Sequence, residues 1–354
     1  MSDALPSTKR RGTEPDSSVP LPLVRSKIWK PYGDIILQAE STQFRVNRDL
    51  LAGQSPVFRD MLSFPQPPNE PTIEGCPIVH VSDTAKDWEL FLEVLYNPFQ
   101  STVSRPYAVV ASMLRLGRKY DMRAPKDDAL RRIRAEFPNV LEAYDSCDNE
   151  LTTIDHEDGV YSHLLNLLYE CGVYSAIPMV GMACLSQFSL ETLAVTVERD
   201  TVVTLAFALE RILEFQREKS LSWLHGDAVI PDEACKFPKS CIKQQLELNH
   251  LITGREKYPF HTSYTIEQWE DEWEGEFCDM CETAAKEFYA ARRREGWDLL
   301  PTFFRAPEVG GFERPRLVFL MPAIEIVSVI CRGRPSPQRF TLLLLSCWNW
   351  YRVT

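Results

Sequence analysis

Phe44-Arg-Val-Asn-Arg-Asp-Leu-Leu-Ala-Gly-Gln-Ser-Pro-Val-Phe-Arg-Asp-Met-Leu62 changes its hydrophobic period midway, and that change decides the fold. Gln43 to Asn47 alternates with period two, the pattern of a half-buried strand. From Arg48 on, Leu50, Leu51, Val57, Phe58, Met61 and Leu62 fall at helical spacings instead. Pro56 cannot donate a backbone hydrogen bond inside an existing helix, so it must open a second one after a break at Gly53 to Ser55. Ser55, just before it, is the residue type whose hydroxyl accepts an orphan amide of a first turn.

Outward from this stretch the pattern continues. Asp34-Ile-Ile-Leu-Gln-Ala39 is a short apolar strand, joined to the next by the turn Glu40-Ser41-Thr42. Downstream, a loop rich in proline (Pro65, Pro67, Pro68, Pro71) leads to a third strand at Ile78-Val-His-Val81. Ala85 to Tyr96 places Trp88, Phe91, Leu92 and Leu95 on one helix face, and Tyr107 to Tyr120 does the same with Val110, Met113, Leu114 and Leu116. Ala129 to Phe137 adds a further helix. Strand pair, helices, strand and helices again is an α+β order, not a doubly wound sheet. Phe44, Val46, Leu50, Phe58, Met61, Leu95 and Tyr120 are expected to share one core, each fully buried side chain contributing about 1.5–3 kcal/mol.

Six blocks in this order resemble the BTB/POZ family, in particular its expanded fungal branch. Asp34-Ile-Ile-Leu, Phe44 to Ala52 and Ser55 to Leu62 are similar to its first two strands and helical hairpin. Ile78 to Asp83, Phe91 to Tyr96 and Leu116 to Met122 are similar to its third strand and two later helices. The resemblance implies a protein-interaction domain over residues 26–137, made of a small sheet flanked by helices. It also implies a charged pocket near a dimer interface, with Asp34 and Arg48 as its pair; the plain alternative is a surface ion pair of little consequence. Asn47 stands where the family usually has His, which removes a titrating group and keeps hydrogen-bonding capacity. Two departures bear on partners. Leu21 to Tyr32 is short and interrupted by Pro22 and Pro31, where strand-swapped dimers carry an amphipathic helix. The loop Ser63-Phe-Pro-Gln-Pro-Pro68 lacks the hydrophobic-X-Glu element common in adaptors of cullin-type ubiquitin ligases.

Residues 138–315 read as a mostly helical domain: Tyr161 to Tyr174, Ser189 to Arg199, Asp200 to Lys219, Cys235 to Ile252, and a long helix from Thr265 to Trp297. Ile266, Trp269, Trp273, Met280, Ala284 and Phe288 form the expected buried stripe of that last helix. Thr265 and Gln268 have capping-box spacing. Acidic Glu267, Glu270, Asp271 and Glu272 at its start and basic Arg292, Arg293 and Arg294 at its end match the helix dipole, so the basic triplet reads as a helix end and not as a phosphate site. Helical extensions with cysteine pairs and a Trp-x-x-Leu-Pro ending, here Trp297 to Pro301, resemble those of the same branch. Cys278-x-x-Cys281 with Cys235 and Cys241 is a candidate zinc set, because a two-residue gap lets one segment supply two thiolates of a tetrahedron. Five residues separate Cys235 from Cys241, wider than usual, and simple burial of four small apolar thiols is the competing expectation.

The chain has 354 residues, 44% of them hydrophobic and 25% charged, enough for two folded units with no metal or disulfide required in general. Its net charge of −11 argues against a general binder of nucleic acid or anionic membrane and favours protein partners. Residues 1–25 are polar and proline-punctuated and read as a disordered leader; Lys9-Arg10-Arg11 within it is read as solvated and not as an import signal. With no signal-peptide pattern, a cytoplasmic or nuclear place is expected, where ten cysteines stay reduced or bind metal. Residues 316–354 read as a poorly organised tail: the apolar runs Leu317 to Ile330 and Phe340 to Trp350 are too short for a membrane span. No dinucleotide-binding, phosphate-loop, zinc-protease or nucleophile-elbow motif occurs, and neither zinc-finger nor helix-turn-helix spacing is present. The expected function is therefore protein–protein interaction and assembly, through homodimers or other protein partners. A cullin-scaffold adaptor and a transcription-associated regulator are the alternatives, and an enzyme is not expected.

Overall fold

The computed structural model describes residues 22–64, 71–97, 104–147, 150–226, 228–253 and 262–305. Most of the expected leader, part of the proline-rich loop and the whole expected tail lie outside them. Strand β1 (Val24–Trp29) pairs parallel with β3 (Thr42–Val46), which pairs antiparallel with β2 (Ile35–Ala39). β5 (Cys76–Val81) lies parallel to β2, and the two-residue β4 (Thr72–Ile73) closes the far edge, giving the order β1-β3-β2-β5-β4. Val24 and Arg25, expected in the leader, thus open the first strand; backbone pairing to β3 compensates for a weak local pattern.

The deciding stretch folds as its period dictates. Helices α1 (Arg48–Gln54) and α2 (Pro56–Ser63) follow β3, and Ser55 caps α2 by accepting from the Phe58 amide at 3.0 Å. The Ser55 hydroxyl also donates to the Tyr120 carbonyl, fastening the hairpin to α4 (Tyr107–Lys119). With α3 (Ala85–Tyr96) and α5 (Arg123–Glu136), these helices flank the sheet. Phe58, Trp88 and Tyr120 meet at the centre, with Phe58–Trp88 edge-on at 5.8 Å. Phe44, Val46, Phe58 and Tyr120 are buried as expected. Leu50, Met61 and Leu95 are only half-buried, and Val57 is exposed: the helices are rotated so that Leu51 and Leu62 point inward in place of Leu50 and Met61.

The helical region continues with α6 (Leu141–Tyr144), α7 (Val160–Cys171), α8 (Ile177–Gln187), α9 (Leu190–Thr196), α10 (Arg199–Phe215), α11 (Pro238–Thr253) and α12 (Asp279–Phe303). One apolar core runs from Ile28 and the sheet through α4, α7, α8 and α10 to Phe303 and Phe304. A second, smaller core gathers Trp223, Ile230, Cys241, Tyr264, Trp273, Phe277, Cys281 and Tyr289.

The long helix expected from Thr265 does not form. Thr262–Thr265 and Asp271–Trp273 are 3₁₀ turns, Gly275 takes a left-handed φ of +75°, and α12 starts at Asp279. Thr265 is not a helix cap; its hydroxyl accepts from buried Gln216 at 3.1 Å. Trp269 and Trp273 recur at helical spacing for another reason: both fold onto Trp223, at 5.1 and 5.7 Å. The buried face of α12 is Cys281, Ala285, Tyr289, Gly296, Leu300 and Phe303, while Met280 is exposed and Ala284 and Phe288 are half-buried. Arg292, Arg293 and Arg294 consequently sit within the helix and not at its end. Arg293 donates to the Ile266 carbonyl at 2.6 Å and pairs with Asp145, and Arg294 pairs with Glu142 at 3.3 Å. Gly296 is where α12 crosses the first 3₁₀ turn: a Cβ there would lie 2.7 Å from the Thr265 carbonyl oxygen.

Candidate metal centre and interaction surface

Four thiols converge at the edge of the second core. Cys235 lies in the loop before α11, Cys241 in the first turn of α11, Cys278 at the N-cap of α12 and Cys281 in its first turn. Their sulfur atoms all lie within 4.8 Å of one another. Cys235 Sγ is 3.6 Å from Cys278 Sγ and 3.8 Å from Cys241 Sγ. All four are free thiols; Cys241 and Cys281 are buried, Cys235 and Cys278 half-buried. The two-residue gap works because Cys278 has extended backbone and Cys281 is already helical, so both sulfurs face one point. The wider gap works because the chain turns between Cys235 and Pro238, where α11 begins.

The backbone supports negative charge here. The Asp232 amide donates to Cys281 Sγ at 3.3 Å. The Cys281 backbone amide, above all, draws the Cys278 thiol down to about 7, whereas burial pushes Cys241 and Cys281 up. Among the described residues these four are the group of cysteine, histidine and acidic side chains placed to hold one ion, so the residues expected from the sequence are brought together. Asp232 and the tryptophan nest beneath the thiols carry no sequence signal that would have marked them.

The other expected site is rearranged. Asp34 is exposed, and its carboxylate accepts from the Arg48 amide at 2.7 Å, capping α1. No ion pair joins the two side chains, correcting the expected Asp34–Arg48 pair: the positive end of a helix satisfies the carboxylate where the sequence suggested a guanidinium. Arg48 Nε is buried without a hydrogen-bond partner. Asn47 is tied in as its capacity predicts, its side chain donating to the Tyr32 carbonyl at 2.9 Å and accepting from the Tyr96 hydroxyl at 2.9 Å. Lys30 lies over the Tyr96 ring at 4.1 Å, and burial raises the Tyr96 pKa. Tyr32 is 91% exposed beside this network, and Val24, at the start of the edge strand, and Leu23, just before it, are exposed at the strand's other end. Tyr32 and Tyr96 escaped sequence reasoning because single aromatics in a loop and at a helix end carry no periodicity.

No described helix is long and apolar enough to cross a membrane. No curated protein and no solved structure matches the chain. The family model described as BTB/POZ domain matches residues 27–135, the span of the sheet and the helices that flank it. Residues 27–135 therefore form a BTB/POZ domain, a protein–protein interaction fold, and a helical region carrying the four cysteines follows it.

Proposed function

We propose that the chain is an assembly protein of the cytoplasm or nucleus that self-associates through its BTB/POZ domain and holds its helical region out for a second protein. The supporting observation is the surface around Asn47. The exposed Tyr32 is one hydrogen bond from Asn47, whose neighbour Arg48 has a buried Nε with no acceptor, and β1 leaves one edge of the sheet open. An edge strand offers free backbone groups for pairing, and a buried donor without a partner favours an incoming acceptor. Light scattering coupled to size exclusion on the full chain is expected to give a dimer, and Tyr32→Glu with Arg48→Ala to shift it to monomer. A wild-type chain that stays monomeric at every concentration defeats self-association.

Two narrower readings share the same fold. An adaptor of a cullin-type ubiquitin ligase is supported by Val57 and Phe64, exposed at the two ends of α2, and predicts co-purification of a cullin. A transcription-associated regulator would use the same dimer platform with DNA contact left to a partner, given the net charge of −11. The fungal-branch assignment is supported by the cysteine pairs and the Trp297 to Pro301 ending alone. In each of these readings the four-cysteine site takes zinc.

A further inference from the structure

We infer that the four thiols form a closed, purely structural zinc site, and that this single ion is the staple that holds the second core shut. The inference rests on the zinc reading just given and adds the coordination and the role. Four ligands at a zinc–sulfur distance of about 2.3 Å define a tetrahedron with edges of about 3.8 Å. Two of the separations here are 3.6 and 3.8 Å, and no pair exceeds 4.8 Å. These distances are far beyond a sulfur–sulfur bond of about 2.05 Å, and convergence of four sulfurs on one point is not the geometry of two disulfides. The spacing also leaves room for one ion and not for a multi-iron cluster, whose ligand pairs stand further apart. Four protein sulfurs fill the tetrahedron, so no position remains for a water or a substrate, and the ion's role is structural.

The role follows from which segments the ligands join. Cys235 and Cys241 come from the loop before α11 and its first turn, Cys278 and Cys281 from the start of α12, and the Asp232 amide braces the cluster. Cys241 and Cys281 are themselves members of the second core, alongside Trp223, Trp273 and Tyr289. That core includes no strand and is far smaller than the first, the circumstance in which a domain needs a cross-link. Because thiolates converge only in the folded state, binding of the ion is coupled to closure of the core.

The test uses the full chain, purified without a tag in the presence of a reductant. Elemental analysis is expected to give about one zinc per chain and X-ray absorption a shell of four sulfurs at about 2.3 Å. Cys278→Ser with Cys281→Ser should lose the zinc, while Cys147→Ser, at an exposed thiol away from the cluster, should keep it. Because the double variant could misfold, the wild-type chain is also stripped with a strong chelator. Tryptophan emission should then shift to the red as Trp223, Trp269 and Trp273 gain water, and return on adding zinc. A chain that contains no zinc and takes up none when reduced overturns the inference, as does iron in its place or zinc retained by the double variant. Zinc that leaves with no change in tryptophan emission overturns the staple. Light scattering on the same samples separates this from the assembly reading: a zinc-loaded monomer defeats self-association alone, and a zinc-free dimer defeats the staple alone.

Discussion

The two cores of this chain are built from different materials. The first is large and mostly aliphatic around the Phe58–Trp88–Tyr120 centre: Ile35, Leu37, Val46, Leu51, Leu92, Leu114, Leu164 and Leu168 are completely or almost completely buried, and sheet and helices share it. The second is aromatic and small, with Trp223, Trp273, Phe277, Tyr264 and Tyr289 edge-on or tilted at 5.5–6.1 Å in one cluster with Cys241 and Cys281. A large apolar core is held by the area it removes from water, whereas a small one gains too little from area alone and depends on specific links. α12 belongs to both, giving Cys281, Ala285 and Tyr289 to the second core and Leu300 and Phe303 to the first.

The two cores should therefore respond to different perturbations. The largest effect is expected from removing metal ligands. Cys278→Ser with Cys281→Ser should abolish near-ultraviolet dichroism from the tryptophan nest while leaving the far-ultraviolet strand and helix signal mostly in place. Next is Phe58→Ala at the centre of the first core, where Trp88 and Tyr120 also pack. It should cost about 3–5 kcal/mol in denaturant unfolding and leave zinc content unchanged in whatever fraction stays folded.

Gly296→Ala comes third. Its Cβ would meet the Thr265 carbonyl oxygen and the Phe215 ring, at 2.7 and 2.9 Å, where α12 passes from one core to the other. Overpacking of this kind costs about 1–3 kcal/mol, read as a lower thermal midpoint. Ser55→Ala removes the cap of α2 and should cost about 0.5–2 kcal/mol.

The smallest effect is at Asp145, whose pKa is lowered chiefly by its hydrogen bond from Arg293. A depressed carboxylate stabilises the fold above its unfolded value, near 3.9, and that contribution fades as pH falls through the lower folded value. Asp145→Asn should therefore cost less than about 1 kcal/mol at neutral pH and nothing once the wild-type carboxyl is protonated. Chemical denaturation at both pH values checks the sign.

The parts of the molecule that follow local period were legible in the sequence. The β2–β3 hairpin, the start of α2 at Pro56 and the extent of α3 lie where alternation, helical spacing and capping chemistry put them, while the break expected at Gly53 to Ser55 narrows to Ser55 alone because α1 runs on through Gln54. What escaped depends on partners distant in the chain. β1 is a strand because β3 lies beside it, not because Val24 to Trp29 alternates well. The helix expected from Thr265 failed because aromatic residues four apart satisfy a helix face and a tryptophan nest equally, and Gly275 breaks the chain between Trp273 and the start of α12. Asp34 and Arg48 were brought close, yet the backbone amide and not the guanidinium reached the carboxylate. The Cys278-x-x-Cys281 half of the metal centre was visible in its spacing. Cys235 and Cys241, expected with them, join through a turn before Pro238 that no spacing rule encodes.

The division between a self-sufficient core and a stapled one is tested most directly by hydrogen exchange of the full chain, with and without zinc extraction. On zinc extraction, protection should collapse in α11, in the 3₁₀ turns from Thr262 to Trp273 and in the first turns of α12, and persist in the buried sheet and in α4, α7 and α10. Protection lost evenly along the chain, or unchanged around Trp223 and Cys241 after the zinc has gone, would contradict that division.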